Sequence, residues 1–242
     1  MYRTLDAGKI VATTTTLEQR IGERFPKAGL RRVAGELIDI AREAEARVVD
    51  LQRPSRGLRA TSAVVFAVGL ATLILVAASI KVDGASTELF GMMQGIDAAV
   101  NLAIVVGAAV LFLVTLESRR KRARALGYLH ELRAIIHVID MHQLTKDPST
   151  QMEGAKPTAH SPARTLTAFE LTRYLDYCTE LLSLSAKVAA LYAQSTTDTE
   201  VIDAVNDLER LTSNLSAKTW QKITLIDIAH RPWGAVAAAP HP

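Results

Sequence analysis

Two uncharged stretches decide the fold of this protein: ATSAVVFAVGLATLILVAASI at residues 60–80 and AAVNLAIVVGAAVLFLVTL at residues 98–116. As helices they would extend roughly 31 Å and 28 Å, close to the thickness of the hydrocarbon core of a bilayer. We therefore predict two transmembrane helices joined by a loop at residues 81–97. The alternative is a pair of buried core helices in a soluble protein.

Basic residues flank both stretches on the side away from this loop. They are Arg53, Arg56 and Arg59 before the first stretch, and Arg119, Arg120, Lys121, Arg122 and Arg124 after the second. The loop itself is net negative, because Lys81 is outnumbered by Asp83, Glu88 and Asp97. Basic flanks stay in the cytoplasm, so we predict that both termini are cytoplasmic and that the loop is external. The basic residues would then meet anionic lipid headgroups.

Small residues recur at four-residue spacing in both predicted spans. The two stripes are Ala63, Ala67 and Ala71 in the first span, and Ala99, Ala103 and Gly107 in the second. Small side chains let helix backbones approach closely in lipid, so we expect the stripes to pack the two spans against each other. Packing between copies of the chain is the alternative. We expect Asn101, the one strongly polar side chain inside a span, to hydrogen-bond across helices rather than to line a pore.

The segments before and after the spans carry helical patterns. Apolar residues in segment 27–53 follow alternating steps of four and three, which predicts an amphipathic bundle helix. These residues are Leu30, Ala34, Leu37, Ala41, Ala44, Val48 and Leu51. Segment 117–144 would continue the second span as a cytosolic helix, with an apolar stripe formed by Leu129, Leu132, Ile136 and Ile139.

Two further helices are predicted at 165–228, where a short turn near Ser195 indicates an antiparallel helical hairpin. The apolar seam of the first comprises Leu171, Leu175, Cys178, Leu182, Ser185, Ala189 and Tyr192. That of the second comprises Val201, Val205, Leu208, Thr212 and Leu215, followed by Trp220, Ile223 and Ile226. We read residues 145–164 as a flexible linker and residues 229–242 as a disordered tail.

Three helix starts are predicted from a Thr followed three residues later by Glu, the capping-box pattern. The pairs are Thr15 with Glu18, Thr167 with Glu170 and Thr197 with Glu200. The first pair would begin a short helix that ends near Phe25, within the N-terminal segment 1–26. Together these patterns predict an all-α membrane protein: a two-span transmembrane helical hairpin with a cytosolic helical bundle.

One helix face collects polar side chains: His130, Arg133, His137 and Asp140 recur at steps of three, four and three. Residues at this spacing lie on one side of a helix. Three hypotheses are open for this face: a hydrogen-bonded seam at a bundle interface, a surface for ligand sensing or partner docking, and a catalytic or metal site. A zinc site would need two further ligands, and no ligand spacing elsewhere in the sequence supplies them.

The sequence contains no motif for an enzyme or a cofactor. There is no Walker motif, GxSxG, HExxH or CxxC, so we expect no catalytic residue, no metal and no cofactor. The one cysteine, Cys178, falls on a seam and is expected to be a small buried residue. The formal net charge of +3 combines a basic layer after the second span with a net acidic C-terminal part. We therefore predict no nucleic-acid partner.

The order helix, span, span, helix over roughly residues 28–145 resembles that of the SLATT-type proteins of bacterial conflict systems. This resemblance implies an oligomeric, membrane-disrupting effector that is gated through its cytosolic helices. It rests on topology, so it assigns no functional residue, and it does not cover residues 165–228. The alternative function is a membrane-anchored scaffold or adaptor that docks a cytosolic protein through that C-terminal hairpin. The composition, rich in Ala and Arg, suits a bacterium with a GC-rich genome. We expect the protein to lie in the bacterial inner membrane.

Overall fold

The computed structural model describes residues 4–79, 88–146, 148, 158–161 and 166–230. Helices make up 88% of these described residues, and there is no β-strand among them. In chain order the helices are α1 (Ala7–Arg24), α2 (Leu30–Gln52), α3 (Arg56–Ser79), α4 (Glu88–Leu144), α5 (Ala168–Ala193) and α6 (Thr199–His230). The predicted all-α fold is confirmed. Most of the predicted linker 145–164 and of the predicted tail 229–242 lies outside the described residues.

The described residues divide into two compact units. One, called here the hairpin, comprises residues 53–124 and so contains α3 and the first part of α4. The other, called here the bundle, comprises the described residues up to Gln52 and from Ala125 onward. α4 is a single helix of 57 residues that belongs to both units. Segment 117–144 is therefore helical and continuous with the second apolar stretch, as predicted.

The start of α4 differs from the prediction. Residues from Glu88 to Asp97 were expected to form part of an external loop, but the helix begins at Glu88. The segment contains no proline, and each of its two glycines, Gly91 and Gly95, costs only about 1 kcal/mol in a helix. Propagation from the apolar stretch therefore continues through them. Residues 81–87 of the predicted loop lie outside the described residues.

The predicted seams form the core of the bundle. Every predicted seam residue of α5 is buried, and so are those of α2 from Leu30 to Ala44. Val48 and Leu51 are partly buried against the same core. The α4 stripe from Leu129 to Ile139 is buried as well, with three of its four residues at 0% exposure. These seams hold the bundle together, because burying a large aliphatic side chain stabilises a fold by roughly 1.5–3 kcal/mol.

The α6 seam departs from the prediction at one position. Trp220 was expected to face the core, but its side chain is 58% exposed. Thr219 is fully buried in its place, and the seam then continues through Ile223 and Ile226. The regular step of four leads from Leu215 to Thr219, so helix geometry places the threonine inward although tryptophan is the more apolar residue.

Contacts near the helix ends show the relative directions of α1, α4 and α5. Beside the end of α5, the Gln194 side-chain amide exchanges two hydrogen bonds with the backbone of Leu5, at 3.0 and 3.1 Å. At the opposite end, the ring of Phe25 packs edge-on against Tyr174, with ring centroids 5.3 Å apart. α1 therefore runs antiparallel to α5. α4 does too, since Tyr128 lies beside Tyr192 near the end of α5, and His142, further along α4, contacts Tyr174 near the start of α5.

The helix starts confirm one of the three predicted capping boxes. The Thr167 hydroxyl accepts a hydrogen bond from the Glu170 N–H, and the Glu170 carboxylate accepts one from the Thr167 N–H. The other two predictions are wrong. α1 begins earlier, with Asp6 as its N-cap, and the Thr15 hydroxyl donates to the Val11 carbonyl inside the helix. At α6, Asp198 accepts hydrogen bonds from the N–H groups of Glu200 and Val201.

The apolar helices of the hairpin are exposed rather than buried. α3 and α4 each contain an 18-residue window apolar enough to cross a membrane, and only 6% and 0% of these windows are buried. Large side chains such as Val64, Leu75, Ile104 and Leu111 are 61% exposed or more. A soluble core helix would bury such side chains, so this exposure argues against the alternative of two core helices.

Candidate functional site

The four residues of the predicted polar face do not form a buried seam. His130 and His137 are exposed on the outer side of α4, and Arg133 and Asp140 are partly buried. The hypothesis of a hydrogen-bonded seam at a bundle interface is therefore wrong for the two histidines. Within the described part of the chain, no group of three or more His, Cys, Asp and Glu side chains is placed to hold a metal ion.

The buried polar contacts lie one turn further along α4, where four helices meet. We call this group the polar cluster: Asp140, His142, Gln143, Tyr174, Thr219 and Lys222. Gln143 is at its centre and only 2% exposed. Its side-chain NH2 donates to Asp140 at 2.8 Å, and its side-chain carbonyl accepts from the Thr219 hydroxyl. Its backbone carbonyl accepts from Lys222 at 2.9 Å. These bonds tie the end of α4 to α6.

His142 ties the same end of α4 to α2 and α5. Its Nδ1 lies 3.2 Å from the Tyr174 hydroxyl. Its ring also packs against the backbone of Gly29, where an added Cβ would come within 2.8 Å of the imidazole. Burial lowers the pKa of His142, and the nearby cations Lys146 and Arg32 lower it further. The site therefore favours the neutral imidazole.

Cys178 lies in the core beside this cluster and is not a reactive thiol. Its side chain is fully buried, and burial raises its pKa to about 12. Since the thiolate is the reactive form, a thiol with such a pKa is inert at neutral pH. The expectation of a small buried residue is consistent with this environment.

A second cross-helix group sits nearer the Ala125 end of the bundle. The Arg47 guanidinium donates to Glu131 at 2.7 Å and lies over the Tyr128 ring, 4.2 Å from its centroid. The Tyr192 hydroxyl is buried behind it without a hydrogen bond of good geometry. Burial raises the pKa of Tyr192 to about 12, and the nearby Arg47 guanidinium opposes this rise. Arg47 therefore links α2 to α4 at the end opposite the polar cluster.

A close approach inside the hairpin lies at Gly69, outside the predicted stripes. Gly69 is buried, and a Cβ added there would overlap the Val106 side chain. The stripe residues Ala63, Ala67 and Ala71 are exposed, and so are Ala103 and Gly107. The expected packing of the two stripes against each other is thus wrong. Ala99 alone is partly buried, because it lies seven residues before the partly buried Val106 and therefore on the same face of α4.

An apolar groove of about 410 Å³ runs between α3 and α4. Every residue lining it is apolar or glycine, and the lining includes Phe66, Leu73, Ala103, Gly107 and Val114. A Cβ added to Gly107 would meet no atom within 4 Å. Two residues of the predicted small stripes therefore border open space instead of a helix backbone.

Polar groups join the two helices of the hairpin beside the basic residues. The Glu117 carboxylate accepts a hydrogen bond from the Ser55 N–H at 2.9 Å, just before α3 begins. It also lies 3.2 Å from the Lys121 ammonium and 3.9 Å from the Arg59 guanidinium. The negative charge at the start of α3 is favourable for the helix dipole. The other predicted basic residues Arg53, Arg56, Arg119, Arg120 and Arg124 are exposed, and Arg122 is partly buried.

Asn101 does not reach across the hairpin. Its side-chain NH2 donates to the Asp97 carboxylate at 3.3 Å, one turn earlier on α4. The expected hydrogen bond between helices is replaced by this local contact, because residues four apart are neighbours on one helix face.

Comparison with models of protein families, with curated proteins and with solved structures finds no match for this chain. The fold and these contacts define its class: an all-helical protein with two helices long and apolar enough to cross a membrane. Among the residues that sequence reasoning missed are Gln143, Thr219 and Glu117. Gln143 and Thr219 are uncharged polar residues at positions that continue an apolar seam, and this is the one sequence feature that could have indicated them. Glu117 is the single acidic residue within the basic flank.

Proposed function

We propose that this protein is an oligomeric membrane effector whose helical bundle controls its hairpin. In this proposal α3 and the first part of α4 span a bacterial inner membrane, both termini are cytoplasmic, and a cytosolic protein partner supplies the trigger. The observation that carries the proposal is the continuity of α4 from Glu88 to Leu144. One helix serves both units, so a change in how the bundle holds α4 would act directly on the apolar hairpin.

The polar cluster supports this control, because it is where the end of α4 is held. Gln143 and His142 bring α4 into contact with α6, α5 and the start of α2. Removing a partner from a buried hydrogen-bond network costs about 1–3 kcal/mol for each polar group left unsatisfied. A partner that disturbs this network would release the end of α4 at a modest energetic cost.

The test is membrane potential in bacterial cells that express the protein from an inducible promoter, read with a potential-sensitive dye. We compare the wild type with Gln143→Leu, which removes the buried amide, and with His137→Gln, which changes an exposed residue of the same helix. All three are matched for their amount in the membrane fraction. We expect Gln143→Leu to depolarise cells at lower induction than the wild type and His137→Gln. If Gln143→Leu reaches the membrane and leaves the potential unchanged, the effector proposal is rejected.

A second function is favoured by one feature of α6. Trp220, Leu225 and Ile228 are 58%, 43% and 61% exposed in the bundle. A membrane-anchored adaptor would use such side chains to dock a cytosolic partner. For an adaptor we expect no depolarisation by any variant. We also expect one partner protein to co-purify with the full chain in a stoichiometric amount. When that partner is tagged instead, it should pull down the full chain. The Trp220→Ala variant should no longer bind the partner.

A further inference from the structure

We propose that the hairpin groove binds an anionic phospholipid, with one acyl chain against Ala103 and Gly107 and the phosphate against Arg59 and Lys121. This inference rests on the membrane location in the proposed function, but not on effector activity. The groove supplies the first argument. Its lining is entirely apolar, and it extends along α4 from Leu102 to Val114, which is roughly 18 Å of helix.

The groove is a narrow apolar channel, with about 410 Å³ of space along roughly 18 Å of α4. A flexible hydrocarbon chain can follow the space over Gly107, where a Cβ would meet no atom within 4 Å.

Charge complementarity supplies the second argument. Arg59 precedes Phe66 by seven residues, and Lys121 follows Val114 by seven, so both continue the groove-lining faces by two turns. Both cations reach the same Glu117 carboxylate, at 3.9 Å and 3.2 Å, which places them together at one end of the groove. Two cations and one carboxylate leave a net charge of +1.

The Arg59 guanidinium can donate hydrogen bonds to a ligand. Its side chain is 67% exposed, and its ion pair with Glu117 is long, at 3.9 Å. Glu117 is itself occupied by the Ser55 N–H and by Lys121. A phosphate at the end of the groove would thus accept charge-assisted hydrogen bonds from Arg59. An acyl chain of the same molecule would begin beside Phe66 and Val114.

The test is lipid retention by the full-length protein, purified in mild detergent, incubated with equal amounts of phosphatidylglycerol and phosphatidylcholine, and analysed by native mass spectrometry. We expect the wild type to retain phosphatidylglycerol about tenfold more than phosphatidylcholine, as one or two charge-assisted hydrogen bonds allow. Gly107→Leu, whose Cβ would meet no atom within 4 Å, places a side chain in the groove and should lower retention of both lipids. Arg59→Gln should lower only the preference for phosphatidylglycerol.

Two matched controls separate the groove from general effects. Ala63→Leu places the same side chain at an exposed small residue of α3 that does not line the groove, and Arg119→Gln removes an exposed charge elsewhere on the hairpin. Both should retain lipid as the wild type does. Equal retention of the two lipids by the wild type overturns the proposal, and so does unchanged retention by Gly107→Leu. A protein dimer that Gly107→Leu dissociates would instead identify a second copy as the occupant.

The lipid-retention experiment and the membrane-potential experiment can fail independently. Retention of phosphatidylglycerol by a protein that never depolarises cells would keep the lipid site and reject the effector. Depolarisation by a protein that retains both lipids equally would keep the effector proposal and reject the lipid site.

Discussion

At the scale of single residues, two histidines of α4 show how the position of a residue on a helix face decides its environment. His137 is exposed, whereas His142 contacts Tyr174 and the backbone of Gly29. Each directly follows an apolar residue in the sequence, and the spacing pattern singled out the exposed one. His142 turns inward because it lies three residues after Ile139, which is fully buried. The neutral form of this ring is the one that the surrounding cations favour.

The pH dependence of stability follows from this environment. Burial, Lys146 and Arg32 lower the pKa of His142 in the folded protein. The resulting stability is complete above the unfolded-state pKa of about 6.5 and is lost as the pH falls through the lower folded-state pKa. We expect the free energy of unfolding to fall below pH 6.5, by up to about 1.4 kcal/mol per pH unit more steeply than in His142→Gln.

Chemical denaturation of the detergent-solubilised protein between pH 5 and pH 8, followed by circular dichroism, measures this difference. His137→Gln is the matched control, because it makes the same substitution at an exposed histidine of the same helix. Identical pH dependence for the wild type and His142→Gln would show that His142 does not titrate in this way.

At the scale of helices, the sequence predicts seams well and helix starts poorly. The steps of four and three in α2 and α5 depend only on helix geometry, so the buried positions follow from the pattern. A start depends on one side chain bonding to one free N–H group, and several nearby residues can do so. Asp198 stands next to Thr197, and the structure uses the aspartate.

Substitutions at these starts should reveal which residue is the cap. We expect Thr167→Ala and Asp198→Ala each to lower the free energy of unfolding by about 1 kcal/mol, because each leaves N–H groups of the first turn without an acceptor. Thr197→Ala, the matched control beside Asp198, should change it by less than about 0.5 kcal/mol. Denaturant titrations measure all three. A larger loss for Thr197→Ala than for Asp198→Ala would contradict the observed cap.

At the scale of the whole molecule, the sequence segments regroup into two units. The N-terminal helices α1 and α2 join the last part of α4, α5 and α6 in one bundle, although the hairpin separates them in the sequence. Contacts such as Leu5 with Gln194, at a separation of 189 residues, bring the two parts together. Short-range patterns carry no information on such pairings.

The proposed topology makes a prediction about labelling in intact bacterial spheroplasts. Cys178 is fully buried with a raised pKa, so it provides a silent background for thiol reagents. We expect a membrane-impermeant maleimide to label Met93→Cys, within the segment predicted as the external loop, without permeabilisation. Glu209→Cys, exposed on α6 of the bundle, should be labelled only after the membrane is opened. Labelling of Glu209→Cys in intact spheroplasts would contradict the cytoplasmic location of the bundle.

The sequence by itself determined the helical class, the two apolar helices and most of the bundle seams. Each of these depends on composition or on spacing within one helix, which a periodic pattern contains in full. Only the tertiary structure decided that Gln143 and Thr219 are hydrogen-bonded partners, that Gly69 rather than the alanine stripes marks the close approach, and that Ala103 and Gly107 border a groove. These outcomes depend on which faces of distant helices meet. The identity of a single polar or small residue does not indicate which other helix it will contact.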